Sequence, residues 1–108
     1  MIARIWRGWA AGLQQADAYE VHYQTAVLER LRRVDGYTGA QLLRRNECDG
    51  VELISVTYFA SLEAIRTFAG ADYEVAVVAP EARQLLSRFD ERCSHYGLAI
   101  TDGITARG

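Results

Sequence analysis

The chain has 108 residues, half of them hydrophobic and about a quarter charged, with a formal net charge of −2 and one proline. That length buries roughly two-thirds of the unfolded surface in one core, so one globular domain is expected and a disordered or fibrous chain is excluded. With no basic excess and no cluster of cationic and aromatic residues, nucleic acid is not an expected partner.

Residues 2–9 are rich in β-branched and aromatic types and run into Ala10-Ala11-Gly12, which reads as a strand and a turn. From Asp17 to Val34 the apolar positions Tyr19, Tyr23, Val27, Leu31 and Val34 recur at three- and four-residue steps, predicting an amphipathic helix. Asp17 and Glu20 have the spacing of a capping box at its start, and Gly36 is placed to end it in a left-handed conformation.

Residues 37–45 and 51–59 look extended and are separated by a segment ending in Asp49-Gly50, a hairpin signal. Ser61 is placed to cap a helix over 62–68, and Gly70 to close it. Residues 72–78 are expected to form a short helical turn, and Pro80 to open another helix through Leu86. Strand-like residues return from Arg92 to Ile100. The order β-α-β-β-α-β is that of an α+β, ferredoxin-like domain over residues 1–100, with residues 101–108 read as a flexible tail.

A sheet with helices on one face and water on the other alternates cleanly between apolar and polar residues. Here Val51, Leu53 and Phe59 share one parity with Ser55 and Thr57, while Ile54, Val56 and Tyr58 share the other with Glu52. The first strand repeats this, with Ile2 and Trp6 on one side and Ile5 and Trp9 on the other. A second apolar sheet face calls for a cover, and a two-fold homodimer with facing sheets is expected.

No apolar run approaches the roughly 20 residues of a membrane span, and Met1-Ile2-Ala3-Arg4 lacks the apolar core of a signal peptide. A cytoplasmic protein without a membrane partner is expected. Cys48 and Cys93 lack metal or redox spacing, so two free thiols and no metal are expected.

Met-Ile-Ala-Arg-Ile-Trp-Arg-Gly at the start, Asp35-Gly36-Tyr37-Thr38-Gly39-Ala40, the stretch from Ser61 to Gly70, and Pro80-Glu81 through His95-Tyr96 together resemble the antibiotic biosynthesis monooxygenase superfamily. The resemblance implies a dimeric αβ-barrel with a pocket between sheet and helices. It implies a monooxygenase that uses no metal or flavin, acting on an aromatic phenol, anthrone or quinol. Other members of that superfamily bind and degrade heme.

The first-strand Asn, helix Trp and heme-ligating His of the heme-degrading members map to Trp6, Phe68 and Val78 here, and the Asn–Trp pair of the polyketide-oxygenating members maps to Ala64 and Phe68. None of these positions keeps the family residue. Chemistry therefore falls to other side chains: Tyr73, a phenol able to donate or exchange a proton, and His95, an imidazole that titrates near neutrality. Trp6, Tyr58 and Phe68 are the candidate walls of a substrate pocket, each with core packing as its ordinary role. His22, on the margin of the first helix's apolar stripe, is left out of the site. The expected function is cofactor-independent oxygenation of a small aromatic molecule; the alternatives are a non-catalytic accessory dimer that binds a small apolar ligand, and a divergent heme-binding relative.

Overall fold

The computed structural model describes residues 1–104. Strand β1 (Ile2–Ala10) leads into α1 (Leu13–His22), which continues without a break through a π-helical turn (Tyr23–Val27) into α2 (Leu28–Arg32). Strands β2 (Tyr37–Glu47) and β3 (Gly50–Phe59) form a hairpin; α3 (Leu62–Ala69), α4 (Pro80–Leu85), β4 (Arg88–Phe89) and β5 (Ser94–Gly97) follow. The sheet runs β2-β3-β1, with β4 and β5 both on the free edge of β1, and every pairing is antiparallel. This is the ferredoxin-like order, as expected.

The local signals act as their chemistry predicts. The Ser61 hydroxyl accepts from the Ala64 amide at 3.2 Å and caps α3. Pro80 occupies the first turn of α4, where its missing N–H costs nothing. Gly36 has φ of +95°, and a Cβ there would stand 2.8 Å from that of Ala64. Glycine is therefore needed for both backbone conformation and space.

Three expectations are corrected. The first helix begins at Leu13, with Gly12 as its N-cap, four residues before Asp17. Asp17 and Glu20 do not cap it; both bind the guanidinium of Arg44 on β2, at 2.7 and 2.6 Å. Of residues 72–78, expected as a short helical turn, only 72–75 make one hydrogen-bonded turn, the Val75 amide donating to the Asp72 carbonyl at 3.2 Å, and 76–78 past it are in no helix or turn. Val75 forms a bridge with Arg92, and the amides of Ala76 and Cys93 donate to the carbonyls of Glu91 and Glu74. That pairing engages residues 91–93 away from the β1 edge, so the last strand is Ser94–Gly97 rather than Arg92 to Ile100, and the two-residue β4 ahead of it is an element the sequence did not show. Of the expected tail, residues 105–108 lie outside the described residues.

The alternation of β3 sets the layers. Val51, Leu53, Ser55, Thr57 and Phe59 are buried beneath the helices, and register brings Ile2, Arg4, Trp6, Gly8 and Ala10 onto the same face. Two clusters fill this layer. One gathers Trp6, Tyr19, Tyr23, Val51 and Leu53; the other gathers Leu31, Phe59, Ile65 and Phe68. Full burial of side chains this large contributes about 1.5–3 kcal/mol each before entropy is counted. The opposite face carries Ile5, Trp9, Ile54, Val56 and Tyr58, all half-buried, with Leu43 and Tyr96 exposed.

Candidate functional site

The two clusters are joined through Val27 and Leu28, which pack against both. Between the clusters, against the helix side of the sheet, lies a cleft lined by Trp6, Tyr19, Tyr23, Phe68 and the polar side chains Arg4, Ser55, Thr57 and Cys93, with Val27, Leu31 and Val77 completing it. The cleft is partly open to solvent and its cavity volume is about 40 Å³. That volume suits a few waters or one polar group.

The π-turn builds one wall. Its extra residue per turn brings the Tyr23 hydroxyl 2.7 Å from Ser55 Oγ, a buried pair in which either atom can donate. Such turns are frequent at functional sites. Burial pushes the Tyr23 phenol up to about 12, although the Ser55 bond opposes this. Tyr19 is raised further, again by burial. Both remain neutral donors at physiological pH.

Trp6 lies flat along the sheet because Gly8, two residues on, leaves room: a Cβ at Gly8 would stand 2.5 Å from the indole. The indole N–H donates to the Asp90 carbonyl at 2.9 Å, and the ring stacks on Tyr19 at 6.0 Å between centroids. On the other side of the cleft, the Phe68 ring is faced by the guanidinium groups of Arg4 and Arg30, at 5.8 and 5.0 Å.

Arg4 is the buried charge of the site, with 4% of its surface exposed. Its Nη1 donates to the Tyr73 carbonyl and stands 3.0 Å from His95 Nε2, and its Nη2 donates to the Val75 carbonyl at 2.9 Å. A guanidinium only donates, so Nε2 is the acceptor and the imidazole proton sits on Nδ1. That Nδ1 is buried without a partner. Burial first, and then the Arg4 charge, hold the His95 pKa below its ordinary 6.5, with Glu74 opposing. Burial raises Cys93, against the Arg4 charge, so the buried thiol stays protonated.

The candidate residues read from sequence therefore divide. Trp6 and Phe68 line the cleft. Tyr73 and His95 touch one another edge-on at 5.0 Å and hold Arg4 from behind, outside the cleft lining. Tyr58 is corrected: strand parity puts it on the opposite sheet face, where its hydroxyl donates to Gln41 at 3.0 Å. Arg4, Ser55, Thr57 and Tyr23 were missed as site residues. Arg4 shares the parity of Ile2 and Trp6, but with Ile5 and Trp9 on the other parity only the register with β3 shows that its side faces the helices.

The antiparallel ferredoxin-like sheet with helices over one face is a fold shared with solved structures of antibiotic biosynthesis monooxygenase-type proteins. No family model and no curated protein matches the sequence. Solved structures do match. The heme-degrader MhuD from Mycobacterium tuberculosis, solved with two hemes in its active site, superposes with a TM-score of 0.64 at 16% identity, over 95% of this chain and 100% of that one. SnoaB, a cofactor-independent oxygenase from Streptomyces nogalater, gives 0.60 at 17% identity over 93% and 94%. The ActVA-Orf6 monooxygenase of Streptomyces coelicolor, in complex with Nanaomycin D, gives 0.56 at 17% over 98% and 92%. At these identities the likeness is one of fold.

Heme does not fit the residues present. Iron needs a lone-pair donor, and Val78, at the position mapped from the heme-degrading relatives, has none. The Nε2 lone pair of His95 is taken by Arg4, no histidine lines the cleft among the described residues, and the other side chains able to ligate iron there, Tyr19, Tyr23 and Cys93, are held protonated by burial.

Proposed function

We propose that this chain is a cofactor-independent monooxygenase acting on a small aromatic molecule of the phenol, anthrone or quinol type, working as a cytoplasmic homodimer. The observation that supports this reading is the cleft itself: aromatic walls, buried hydroxyls and one buried cation, in the fold that SnoaB and ActVA-Orf6 share. In such a site the protein excludes water, orients the ring between Trp6 and Phe68, and stabilises the negative charge that an electron-rich substrate carries as it reduces dioxygen. Tyr73 and His95 serve as positioning residues that aim Arg4. Oxygen uptake with a panel of anthrones and hydroquinones tests the proposal; turnover above a heat-denatured control is expected, and its absence counts against catalysis.

A second reading has its own observation. Among the described residues no carboxylate or imidazole lines the cleft, and Tyr19, Tyr23 and Cys93 are all held protonated. A site without a proton acceptor is equally that of a non-catalytic dimer that binds a small ligand. Ligand binding without oxygen uptake across the same panel would favour it. Heme titration separates both readings from the heme-binding alternative: no shift of the Soret band is expected, and a saturable shift would revive that alternative.

A further inference from the structure

We propose that Arg4 is the oxyanion-holding group of the cleft, and that the small aromatic ligand is taken as a phenolate with its oxygen against Arg4, Ser55 and Thr57. This rests on the reading of the cleft as a small-molecule site and names the ionic state of its ligand.

An arginine keeps its charge under all ordinary conditions, and a buried charge is costly unless an opposite charge or a full set of acceptors meets it. Arg4 has neither. Among the described residues it forms no ion pair with a carboxylate. Its three acceptors, the Tyr73 and Val75 carbonyls and His95 Nε2, are all neutral. Glu74, on the adjoining segment, is engaged by Arg92 at 3.1 Å. A guanidinium has five N–H donors; three go to these acceptors and Cys93 engages a fourth, so at least one of Arg4's remains for a ligand while its side chain lines the cavity.

The surroundings suit an anion. Ser55, Thr57 and Tyr23 are each more than nine-tenths buried and line the same cavity. The Thr57 hydroxyl makes only a long bond, 3.4 Å, to the Arg4 carbonyl, and the Tyr23–Ser55 pair can turn one proton outward. A cavity of about 40 Å³, partly open to solvent and lined by Trp6 and Phe68 as well as by these polar groups, holds an oxygen and its hydrogen-bond partners, with the ring toward the opening. The titratable and charged groups facing Arg4 are Cys93, His95, Tyr23 and, across Phe68, Arg30. None of these carries negative charge at neutral pH, and the two carboxylates that act on them, Glu74 on His95 and Asp90 on Cys93, lie outside the cleft lining; among the described residues no group lining the cleft takes the ligand's proton, so the ligand is received already ionised.

The test uses 4-nitrophenol, whose phenolate is yellow, and 4-nitroanisole, its methyl ether, which cannot ionise. With the intact chain, 4-nitrophenolate is expected to bind about tenfold or more tightly than 4-nitroanisole, and the pH at which the bound phenol turns yellow is expected to fall by about one unit or more. Arg4→Met should abolish both differences and leave 4-nitroanisole binding in place. If circular dichroism shows that Arg4→Met does not fold, the comparison of the two probes on the unmodified chain decides alone. Equal binding of the two probes, or an unshifted colour change, overturns the proposal and leaves the small-ring reading standing. Failure of both probes to bind overturns both.

Discussion

Nη1 of Arg4 stands 3.0 Å from Nε2 of His95, and this contact decides which nitrogen of the imidazole carries the proton. The acceptor is Nε2, so the neutral ring is the Nδ1–H tautomer, and long-range nitrogen–proton correlation spectra should show the protonated nitrogen as Nδ1. Protonating His95 would set a second cation against Arg4 in a partly buried place. Its pKa in the fold is therefore below the ordinary 6.5, while in the unfolded chain it returns to that value. Below about pH 6.5 the unfolded chain binds the proton more readily than the fold, so this contribution to stability is complete above that pH and is lost as the pH falls beneath it. Urea midpoints measured from about pH 7.5 to about pH 5 should fall more steeply for the natural chain than for His95→Gln, which keeps an acceptor for Arg4 but does not titrate. Parallel curves would refute the assignment.

Gly8 controls Trp6 from two residues away. An added methyl would overlap the indole, so Gly8→Ala must rotate the ring off the sheet, breaking its bond to the Asp90 carbonyl and its stack on Tyr19. Overpacking of this kind costs about 1–3 kcal/mol. Urea denaturation should show that loss, and the near-ultraviolet dichroism of the folded variant should change with it. A variant as stable as the natural chain with unchanged aromatic signals would contradict this account of Trp6.

What was legible in the sequence follows a physical division. Ser61, Gly70 and Pro80 act through their own backbone and immediate neighbours, so their chemistry could be read without a structure. The start of α1 was misread because Gly12 caps it with no side chain, while Asp17 and Glu20 are drawn to Arg44, a partner remote in sequence. Residues 72–78 were legible only in part for the same reason, since residues 74–76 pair with residues 91–93. The parity that separates Tyr58 from Phe59 was visible, but which parity faces the helices is decided only when both faces are compared against a packed layer. Arg4 was missed because an arginine in a strand reads as solvent-facing, and nothing local shows that its donors meet the carbonyls of Tyr73 and Val75 some seventy positions on.

Gly36 joins α2 to β2 in a conformation that suits glycine alone, and its missing side chain lets α3 approach through Ala64. Gly36→Ala meets both penalties, a strained positive φ and a close methyl contact, for an expected loss of about 2–3 kcal/mol. Ala64→Gly in the same background removes the methyl contact but not the backbone strain. The double variant should therefore recover part of the loss after the helix cost of about 1 kcal/mol for glycine in α3 is subtracted. A double-mutant cycle on urea stabilities measures the coupling, and purely additive losses would show that the two residues do not compete for space.

The outer sheet face supplies the test of assembly. Val56 lies on β3, between Ile5 of β1 and Gln41 of β2, at the centre of the half-buried apolar residues that the helices do not cover. In a lone chain, Val56→Glu would place a carboxylate at an open surface, a change worth about 0.5 kcal/mol or less. Between two facing sheets it would bury an unpaired charge twice, once in each protomer, which no interface of ordinary size tolerates. Sedimentation at low micromolar concentration should therefore give a dimer for the natural chain and a monomer with unchanged far-ultraviolet dichroism for Val56→Glu. If the natural chain sediments as a monomer, the apolar residues of this face are exposed in solution and the facing-sheet dimer is wrong; if the variant remains a dimer, the chains associate through some other surface.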